Sequence, residues 1–537
     1  IDPRGNAMAY EYDTFGFMVR EYDPTNMAYQ TRYQHDSVGN LTNCIDALGR
    51  ETHSEYDKLG RKTWEMNALG YENLWTYSGP SLVEEETGRD GATPGRVTQY
   101  GYDGLNRQIS IDRLDDANAT QRWMSVVYDS ADNVLFETNA LGYGTIYTYD
   151  NAGHRKTMLD PYGALTTYGF DALGNITSVV DAAGTETSMC YDYLGRLTNQ
   201  IEAAGTDVER TIGFRYNAKG DRIEIVQPDG SSTHFAYDAA GRLTEVSGSR
   251  MYPATYAYDA NGNRIAVTDG RGYTTTNVYD AYNRCIGVVY SDGSRNLFGY
   301  DLVGNQTSVT DGNTNTAWYA YDDLNRMASK SKVNASNVIL QTTFYNPWNQ
   351  VAGMSNILGG VTSNSYDRLG RVTNMVDMAG LSLSYEYDSI GQLLVARWPN
   401  DSVTSNSYVN GRKVAERSRA GNVTTFNYDA MGRQIAFVDA LKATNTMSYD
   451  ALGRICVQTN SLGETSAYSY DDFGQLLSIT YANGKSEIRQ YDVYGKITNH
   501  YGAGRYPISY RYDVAGNLTN MVDGNGSATA WNYDERS

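Results

Sequence analysis

Residues 191–197 read Tyr191-Asp-Tyr-Leu-Gly-Arg-Leu197, and this stretch decides the fold because its pattern returns along the whole chain. The pattern is Tyr-Asp-x-x-Gly followed by Arg or Asn, and its copies follow one another about every 21 residues, the kind of period that is typical of repeat proteins. In such proteins each unit buries its apolar face only against its neighbours. The full copies include Tyr56, Asp57, Gly60 and Arg61; Tyr191, Asp192, Gly195 and Arg196; Tyr237, Asp238, Gly241 and Arg242; Tyr366, Asp367, Gly370 and Arg371; Tyr449, Asp450, Gly453 and Arg454; and Tyr512, Asp513, Gly516 and Asn517.

The composition suits strands joined by tight turns. The 537 residues include 47 tyrosines, 53 glycines and 10 prolines, and aromatic residues favour strands whereas glycine favours turns. A net charge of −19 disfavours nucleic acid and anionic membranes as partners. The sequence has no apolar run near the roughly 18 residues that a membrane helix needs. We therefore expect no nucleic-acid partner and no membrane span.

Each Tyr-Asp motif predicts a β-hairpin with a three-residue loop, which is a type I turn followed by a residue in the left-handed region. In the copy at residues 191–197 the loop is residues 193–195. Its last residue, Gly195, can adopt a positive φ without a steric cost. This alignment places Tyr191 opposite Leu197, and such aromatic–aliphatic pairs contribute roughly 0.2 to 1 kcal/mol each.

Five copies lack the loop glycine and have Asn or Asp in its place. They are Asn106, Asp132, Asn283, Asn325 and Asn349. Asn and Asp are the non-glycine residues that best tolerate a left-handed φ. If the position required only a small residue, Ala or Ser would serve as well. The substitutions therefore indicate that the backbone geometry of the loop is kept.

A second turn phrase, Asp-x-x-Gly, alternates with the Tyr-Asp motif, as at residues 46–49, 160–163 and 181–184. We call these the second turns. Segments of about five to seven residues rich in Thr, Val, Ile and Tyr separate the two kinds of turn, which predicts a regular succession of strand, turn, strand and turn.

Length changes concentrate in the second turns. The enlarged intervals at residues 115–121, 203–210 and 331–340 all fall there, so we expect one edge of the array to tolerate insertions. The Tyr-Asp hairpins are expected to close the other edge. Residues 78–97, with Glu84-Glu85-Glu86 between Gly-rich flanks, are the least regular stretch and are predicted to form a protruding loop.

The repeats predict an all-β fold in one continuous array over residues 1–537. About two dozen hairpins with strands about 4.8 Å apart form a sheet roughly 240 Å wide, and twisted sheets of this width curl, split or spiral. One closed ring of that perimeter would be roughly 75 Å across, too wide for side chains to fill. We therefore predict a spiral, hollow shell or tube. The chain starts at Ile1 and ends within a new motif at Tyr533-Asp534, so we interpret it as a segment of a longer protein.

Stretches such as Tyr366-Asp-Arg-Leu-Gly-Arg-Val-Thr373 resemble the YD repeats of Rhs proteins, insecticidal toxin-complex C components and teneurins, over essentially all 537 residues. The resemblance implies a spiral of β-hairpins around a hollow. Bacterial members use this hollow to hold a toxic C-terminal domain, and teneurin-like members use the shell in cell-surface adhesion. The bacterial relatives end their shell with a Tyr- and Arg-rich segment and an Asp-Pro-x-Gly signature for self-cleavage, and this sequence has no such block. Residues 2–5 and 160–163 match the signature locally, but both coincide with second turns, so we transfer no catalytic residue.

No catalytic, cofactor-binding or metal-binding residue is assigned. The repeated aspartates are expected to hydrogen-bond the backbone of their own turns, which is the ordinary role of a turn aspartate. Residues 311–315, Asp-Gly-Asn-Thr-Asn, have the spacing of calcium ligands, with Asp322 near the closing position. They lack the glycine of a calcium loop and are expected in strands and turns rather than between helices.

Two further residue types were weighed for function. The widely spaced Cys44, Cys190, Cys285 and Cys456 are interpreted as small apolar fillers, not as a disulfide framework or a zinc site. Trp318, Trp348 and Trp398 could stack on sugar rings, although such residues suit a half-buried sheet equally. A glycan or cell-surface ligand therefore stays open.

Three functional hypotheses remain. The first is a non-enzymatic structural scaffold, bacterial and secreted or on the cell surface, whose shell encloses or displays a toxin or effector of the same chain. The second is an extracellular filament, tube or adhesin that grows by further repeats or by self-assembly. The third is an enzyme, either self-cleaving or acting on polysaccharides, and it is the least favoured because no residue constellation supports it.

Overall fold

The computed structural model describes residues 1–332 and 338–534, and it consists of strands and turns. Across these two ranges no helix is present, and hence none with the length and apolar character needed to cross a membrane. The predicted all-β class is confirmed. All 49 strands belong to a single sheet.

The strands are short and regularly spaced. Their bounds are β1 Ala9–Tyr12, β2 Met18–Asp23, β3 Asn26–His35, β4 Leu41–Ile45, β5 Glu51–Tyr56, β6 Lys62–Met66, β7 Glu72–Ser78, β8 Ser81–Arg89, β9 Arg96–Tyr102, β10 Gln108–Leu114, β11 Thr120–Tyr128, β12 Val134–Asn139, β13 Gly144–Tyr149, β14 Arg155–Leu159, β15 Leu165–Phe170, β16 Ile176–Val180, β17 Glu186–Tyr191, β18 Leu197–Ala204, β19 Arg210–Tyr216, β20 Arg222–Val226, β21 Ser232–Tyr237, β22 Leu243–Gly248, β23 Ala254–Tyr258, β24 Arg264–Thr268, β25 Thr274–Tyr279, β26 Cys285–Val289, β27 Arg295–Tyr300, β28 Gln306–Thr310, β29 Thr316–Tyr321, β30 Met327–Lys332, β31 Val338–Tyr345, β32 Val351–Asn356, β33 Val361–Tyr366, β34 Val372–Val376, β35 Ser382–Tyr387, β36 Leu393–Arg397, β37 Val403–Val409, β38 Arg412–Arg417, β39 Val423–Tyr428, β40 Gln434–Val438, β41 Thr444–Tyr449, β42 Ile455–Thr459, β43 Thr465–Tyr470, β44 Leu476–Tyr481, β45 Ser486–Tyr491, β46 Ile497–Gly502, β47 Arg505–Tyr512, β48 Leu518–Val522 and β49 Ala528–Ala530.

Each strand pairs antiparallel with the next strand in the chain, so the sheet follows the order of the sequence from β1 to β49. At one edge of this sheet, a Tyr-Asp turn connects the two strands of each hairpin. At the other edge, a second turn connects each hairpin to the next. This order is the one expected when every connection is a short hairpin, because a crossover would need a longer link.

A β-bulge recurs beside the Tyr-Asp turns. In β17 and β18, Tyr191 pairs with Leu197 but Cys190 pairs with Asn199, so Thr198 is an extra residue in the ladder. The same shift occurs in the other hairpins of this type, for example those closed at Tyr237, Tyr366 and Tyr449. A bulge bends its strand and increases the local twist, and repeated in every hairpin it supplies curvature to the sheet.

The curved sheet returns upon itself as a spiral. Residues that lie between 225 and 279 positions apart in the sequence form hydrogen bonds across successive circuits. One circuit therefore contains about 24 strands, and at about 4.8 Å per strand its perimeter is roughly 115 Å and its diameter roughly 37 Å. The sheet thus makes about two narrow circuits, not the single wide ring that its total width would allow.

The wall of this spiral is one sheet thick. Among the described residues the buried hydrophobic side chains are few: Val97, Val126, Ala203, Val246, Ala396 and Ala436. The accessible surface is 29169 Å², whereas a compact protein of 59.5 kDa exposes roughly 19,000 Å². The excess surface is what a hollow, single-layered wall requires, because both of its faces meet solvent.

The predicted loop at residues 78–97 is wrong for most of its length. Residues 81–89 form β8, which pairs with β7 on one side and β9 on the other. Its charged residues are held by neighbouring strands, since Glu85 accepts hydrogen bonds from Trp75 at 3.0 Å and Tyr100 at 3.1 Å. The sequence placed these glutamates in a protruding loop because their partners lie on other strands, which the local sequence does not report.

The insertions lie where they were predicted. Residues 115–119 and 205–209 connect strands at the second-turn edge. Of the third interval, residues 331–340, the segment 333–337 falls outside the described residues, as do residues 535–537 of the last motif.

Candidate functional site: the Tyr-Asp turn and the seam between coils

The aspartate of each Tyr-Asp turn holds the turn closed. In the turn at residues 192–196, Oδ1 of Asp192 accepts hydrogen bonds from the backbone N–H groups of Leu194 at 2.9 Å and Arg196 at 3.0 Å. Its Oδ2 accepts from Nε of Arg196 at 2.7 Å, and Nη2 of Arg196 lies at the same distance. This pairing lowers the pKa of Asp192, so the acceptor stays ionised.

The same geometry occurs in the other full copies of the motif. The loop glycines have positive φ values of 73° at Gly195, 91° at Gly370 and 77° at Gly453. Asp367 and Asp450 accept from Nε of Arg371 at 2.6 Å and of Arg454 at 2.7 Å. Tyr366 pairs with Val372 and Tyr449 with Ile455 across the strands. These copies therefore form the hairpin that the sequence predicts.

The arginine and tyrosine of the motif join one repeat to the next. Nη1 of Arg196 donates to the carbonyl oxygen of Asn217, the first residue of the following Tyr-Asp turn, at 3.1 Å. The Arg196 guanidinium also lies 4.9 Å from the ring centroid of Tyr216, whose hydroxyl donates back to the carbonyl oxygen of Leu197 at 2.9 Å. Each such hydrogen bond contributes about 1 kcal/mol net, and the cation–π contact roughly 0.5 to 1 kcal/mol.

This clamp between neighbouring repeats recurs along the array. Further pairs of arginine and following tyrosine are Arg107 with Tyr128, Arg242 with Tyr258, Arg284 with Tyr300, Arg371 with Tyr387 and Arg454 with Tyr470. Burial raises the pKa of Tyr387 and Tyr470, which keeps each hydroxyl protonated as a donor. The motif thus encodes a turn and its attachment to the next turn.

Different residues join successive coils of the spiral. The second turns between residues 2 and 272 meet the Tyr-Asp turns between residues 259 and 517, and we call this line of contact the seam. Arg4 donates to the carbonyl oxygen of Asp280 and the side chain of Asn283, both at 2.7 Å. Arg50 donates in the same way to the carbonyl oxygen of Asp322 at 3.2 Å and to Oδ1 of Asn325 at 2.9 Å.

The loop Asn and Asp residues have a second role that the sequence did not reveal. Their predicted left-handed backbone is confirmed, with φ between 61° and 66° at Asn106, Asp132, Asn283, Asn325 and Asn349. Their side chains are also acceptors. Asn283 and Asn325 accept from the seam arginines, while Asp132 and Asn349 accept from Arg107 and Arg326 of the preceding repeat at 2.7 and 2.9 Å.

An aromatic and charged cluster lies on the seam near the start of the chain. The rings of Tyr29 and Tyr282 are 4.2 Å apart, and Nη2 of Arg284 donates to the Tyr29 hydroxyl at 2.9 Å. The Tyr282 hydroxyl donates to Oδ2 of the buried Asp23. This hydrogen bond, together with those from Thr25, lowers the pKa of Asp23 to about 2, whereas burial raises the pKa of Tyr282.

Other seam contacts are aromatic. The Arg412 guanidinium lies 3.9 Å from the Tyr162 ring centroid, and the rings of Tyr252 and Tyr494 stack at 4.5 Å. Sequence reasoning missed these residues because they occupy positions that the motif leaves variable. A period of 21 residues reports contacts between adjacent repeats, but it carries no signal for contacts a whole circuit apart.

The residues weighed for metal binding do not converge. Asp311 lies in a second turn and accepts hydrogen bonds from the backbone N–H groups of Asn313 and Asn315, both at 2.9 Å. Asp322 lies at the other end of β29 and accepts from Nε of Arg326 at 2.7 Å. Within the described parts of the chain no group of three His, Cys, Asp or Glu side chains could hold a metal ion.

The tryptophans and cysteines also differ from expectation. Trp318 is 44% exposed, but Trp348 and Trp398 are half-buried, with Arg96 and Arg419 each 4.5 Å from a ring centroid. Only Trp318 of the three presents a face for a sugar. Cys190 is exposed, so its interpretation as an apolar filler is wrong, while Cys44, Cys285 and Cys456 are partly covered.

Comparisons with known proteins agree with this geometry. The family model described as the teneurin YD-shell matches residues 214–359, and the RHS repeat model matches residues 170–207 and 446–486. No curated protein sequence matches the chain. The fold is similar to the crystal structure of TcdB2-TccC3-Cdc42, with a TM-score of 0.70, 12% identity and coverage of 96% of this chain and 39% of that one.

Two more solved structures share the fold. The Photorhabdus luminescens Tc holotoxin pore gives a TM-score of 0.65 at 13% identity, covering 97% of this chain and 33% of that chain. TcdB2-TccC3 without the hypervariable C-terminal region gives 0.66 at 12% identity, covering 96% and 40%. The chain thus spans about a third to two fifths of the length of these solved chains. Its Tyr-Asp repeats are similar to those of the teneurin YD-shell and RHS repeat models over parts of the chain, and its spiral sheet shares the fold of the solved TcdB2-TccC3 structures.

Proposed function

We propose that this chain is a wall segment of a non-enzymatic shell that encloses or displays a polypeptide effector belonging to the same protein. The observation that carries the proposal is the single-layered spiral wall, whose surface of 29169 Å² is about one and a half times that of a compact protein of this mass. A globular enzyme or binding domain buries its apolar residues in a filled core, whereas only six hydrophobic side chains are buried among the described residues of this wall.

Two features suit the wall to containment. The clamps between repeats and the seam between coils close the wall in both directions, so a polypeptide inside is separated from proteases outside. The wall is also regular, so its length can vary by whole hairpins without a change in local structure. The similarity to TcdB2-TccC3, of which one structure lacks a hypervariable C-terminal region, supports a cargo at the C-terminal side. We propose further that the protein is bacterial and exported.

The proposal is tested on the protein made from its complete reading frame. The complete protein should contain a segment that is not made of repeats. Limited proteolysis should cleave this segment much more slowly in the intact protein than when the segment is isolated. The double substitution Arg4→Ala and Tyr282→Phe, which removes hydrogen bonds at one end of the seam, should speed this cleavage, whereas Lys219→Ala on an exposed turn should not. Equal cleavage in the intact and isolated forms would overturn enclosure. A complete chain that contains only further repeats would overturn it as well.

A further inference from the structure

The last residue of the Tyr-Asp motif alternates between an amide and an arginine along part of the seam. From residue 263 to residue 412 the order is Asn263, Arg284, Asn305, Arg326, Gln350, Arg371, Gln392 and Arg412. The amides of Asn263 and Asn305 still close their own turns, since each Nδ2 donates to Oδ2 of the turn aspartate at 2.8 Å. An amide side chain is shorter than arginine, however, so it does not fill the place in which a motif arginine contacts the next turn.

A motif arginine fills that place in a constant way. Nη1 of Arg326 donates to the carbonyl oxygen of Asn346, the first residue of the next turn, at 3.2 Å, and to Oδ1 of the loop residue Asn349 at 2.9 Å. Where the loop residue is glycine, the guanidinium lies against it, and a Cβ on Gly432 would be 3.0 Å from Nη2 of Arg412. We call this place between one Tyr-Asp turn and the next the guanidinium slot.

An arginine of the preceding coil fills the slot after Asn263. Arg4 donates to the carbonyl oxygen of Asp280, the first residue of the next turn, and to Oδ1 of the loop residue Asn283, both at 2.7 Å. Its Nε also lies 3.7 Å from Oδ2 of Asp259, the aspartate of the amide turn. Arg4 therefore binds the acceptors that a motif arginine at position 263 would bind.

The slot after Asn305 is filled in the same way. Arg50 donates to the carbonyl oxygen of Asp322 at 3.2 Å and to Oδ1 of the loop residue Asn325 at 2.9 Å. These two acceptors are the first and the fourth residue of the next turn, as they are for Arg326 in its own slot. The substitution of the acceptor set is thus complete at two slots.

The glutamine turns also bind an arginine from one circuit earlier. Nη2 of Arg96 donates to Oε1 of Gln350, and a Cβ on the loop glycine of the next turn would be 3.3 Å from that nitrogen. Nη1 of Arg250 donates to Oε1 of Gln475 at 3.2 Å, and the corresponding Cβ would lie 3.0 Å away. Both arginines lie at second turns of the preceding coil, so four amide turns receive an arginine across the seam.

The turn of Gln392 receives a different group. A Cβ on Gly411, the loop glycine of the next turn, would be 3.1 Å from the hydroxyl of Tyr162 in the preceding coil. Oε1 of Gln392 is buried there without a hydrogen-bond partner among the described residues. A hydroxyl thus occupies the place that holds a cation in the other four slots.

We propose that the amide turns are binding sites for arginines of the preceding coil, and that the alternation of amide and arginine fixes the register of the seam. Arg4, Arg50, Arg96 and Arg250 are the residues that read this pattern. Each aspartate–amide turn accepts one guanidinium from outside, whereas each aspartate–arginine turn already has its own. The inference concerns how the wall winds, and it does not depend on what the wall encloses.

A slip of the seam by one hairpin is penalised in either direction. In the order of the motifs, Arg242 and Arg284 lie on the two sides of Asn263, and Arg284 and Arg326 lie on the two sides of Asn305. A seam arginine displaced by one hairpin would meet a slot that already holds a guanidinium, and the two cations would repel each other. Its own slot would lose its cation at the same time. Repulsion of this kind is a means by which proteins specify one register against its neighbours.

A double-mutant cycle at the Asn305 slot tests whether one site serves both arginines. Arg50→Ala empties the slot, and Asn305→Arg fills it from within the motif. Asn305→Arg should therefore destabilise the wild-type chain, in which Arg50 is present, but should stabilise the Arg50→Ala variant. In urea unfolding the coupling between the two changes should alter the unfolding equilibrium constant by about tenfold or more.

Hydrogen exchange locates the effect on the two sides of the seam. In Asn305→Arg, exchange should rise by about tenfold in residues 46–50, because Arg50 is displaced, while residues 322–326 stay protected. In Arg50→Ala it should rise in both segments. The double variant should regain protection in residues 322–326 alone, because the new arginine fills the slot without joining the coils.

The matched control combines Arg50→Ala with Asn175→Arg. This is the same change in a turn whose amide donates to Asp171, not in the turn before the acceptors of Arg50, so its effects should add. The cycle of Arg250→Ala with Gln475→Arg repeats the test at a second slot, and circular dichroism verifies that each variant is folded. The proposal is overturned if the effects add in both cycles, or if Asn305→Arg leaves exchange in residues 46–50 unchanged.

Discussion

Two copies of the Tyr-Asp turn, one free and one docked, are alike inside and differ only in what lies against them. The free turn is residues 192–196 and the docked turn is residues 367–371. Both have the aspartate–arginine pair, with Nε to Oδ2 distances of 2.7 and 2.6 Å, and both arginines reach the next turn. In the docked turn, Arg368 donates from its backbone N–H to Asp116 at 2.9 Å and from Nη2 to the carbonyl oxygen of Gly95 at 2.7 Å.

The comparison separates two kinds of stability in this molecule. Contacts within and between adjacent repeats are the same in both turns, so they are encoded in the copies of the motif that carry arginine. Contacts of the seam use whichever residue fills a variable position, which is Arg368 in the docked turn and Tyr193, 87% exposed, in the free turn. The repeats therefore supply the wall, and the variable turn positions determine how its coils fit together.

The largest difference between the docked and the free turn, measured as a loss in the free energy of unfolding, is expected when the turn aspartate is removed. Asp367 is 7% exposed, so Asp367→Ala leaves the backbone N–H and the Nε of Arg371 without their acceptor in a buried place, at a cost of about 2 to 4 kcal/mol. In Asp192→Ala water reaches the turn, and the loss should be clearly smaller. Urea unfolding followed by tyrosine fluorescence measures both. Equal losses would show that the seam does not shield the docked turn from water.

The next largest difference in the free energy of unfolding is expected at the second position of the turn, which is Arg368 in the docked copy and Tyr193 in the free copy. Arg368→Ala removes the side-chain bonds to Gly95 and Asn118 and should cost about 1 to 3 kcal/mol. Tyr193→Ala alters the matched position in the free turn and should stay within about 0.5 kcal/mol of the wild type. Hydrogen exchange resolves the location, with faster exchange expected in residues 90–95 for Arg368→Ala alone. Exchange that rises only within residues 367–371 would contradict a role across the seam.

Most of the wall was predictable from the sequence because its interactions are local. The left-handed position at Gly195 follows from the loop type, and the pairing of Tyr191 with Leu197 follows from that loop. The register of each strand then follows from its turns, because a hairpin fixes register. The left-handed backbone of the loop Asn residues was also predicted correctly, because a left-handed φ is a property of a single residue.

The seam could not be predicted because it depends on accumulated curvature. About 12 hairpins complete a circuit, so each must turn the sheet by about 30°, through bulges and twist that a motif does not specify. A small error per hairpin, summed over a circuit, shifts Arg4 from Asp280 to a neighbouring turn. The strand at residues 81–89 was missed for a related reason, because the partners of Glu85 lie on β7 and β9.

Removal of the tyrosine hydroxyl should produce a smaller difference between a partly buried copy and an exposed copy in the free energy of unfolding. The Tyr387 hydroxyl donates to the carbonyl oxygen of Val372 at 2.8 Å in a partly buried place, whereas that of Tyr191 donates to Ile176 at 2.9 Å at an exposed one. Tyr387→Phe should cost about 1 kcal/mol because the carbonyl oxygen loses its donor. In Tyr191→Phe water replaces the hydroxyl, so the loss should be smaller. Thermal unfolding of the two variants, with wild type as reference, measures the difference, and a larger loss for Tyr191→Phe would contradict it.

The smallest expected effect is a pH dependence of stability that arises at the seam. The hydrogen bond from Tyr282 helps to hold the pKa of Asp23 at about 2 in the folded chain, below the value of about 3.9 for an unfolded aspartate. A carboxyl whose folded pKa is depressed adds stability above the unfolded pKa and loses it as the pH falls toward the folded pKa. The stability difference between wild type and Tyr282→Phe should therefore be constant above about pH 5 and narrow between pH 4 and pH 2.

Urea unfolding of both proteins at a series of pH values measures that narrowing. The comparison removes the loss of stability that every other carboxylate causes in acid, because both proteins share those groups. Tyr193→Phe in the free turn serves as the matched control, since its hydroxyl faces solvent, and its difference in stability from wild type should not change with pH. If Tyr282→Phe keeps a constant difference down to pH 2, the Tyr282 hydroxyl does not hold Asp23 ionised, and the seam is held there by ring packing between Tyr29 and Tyr282 instead.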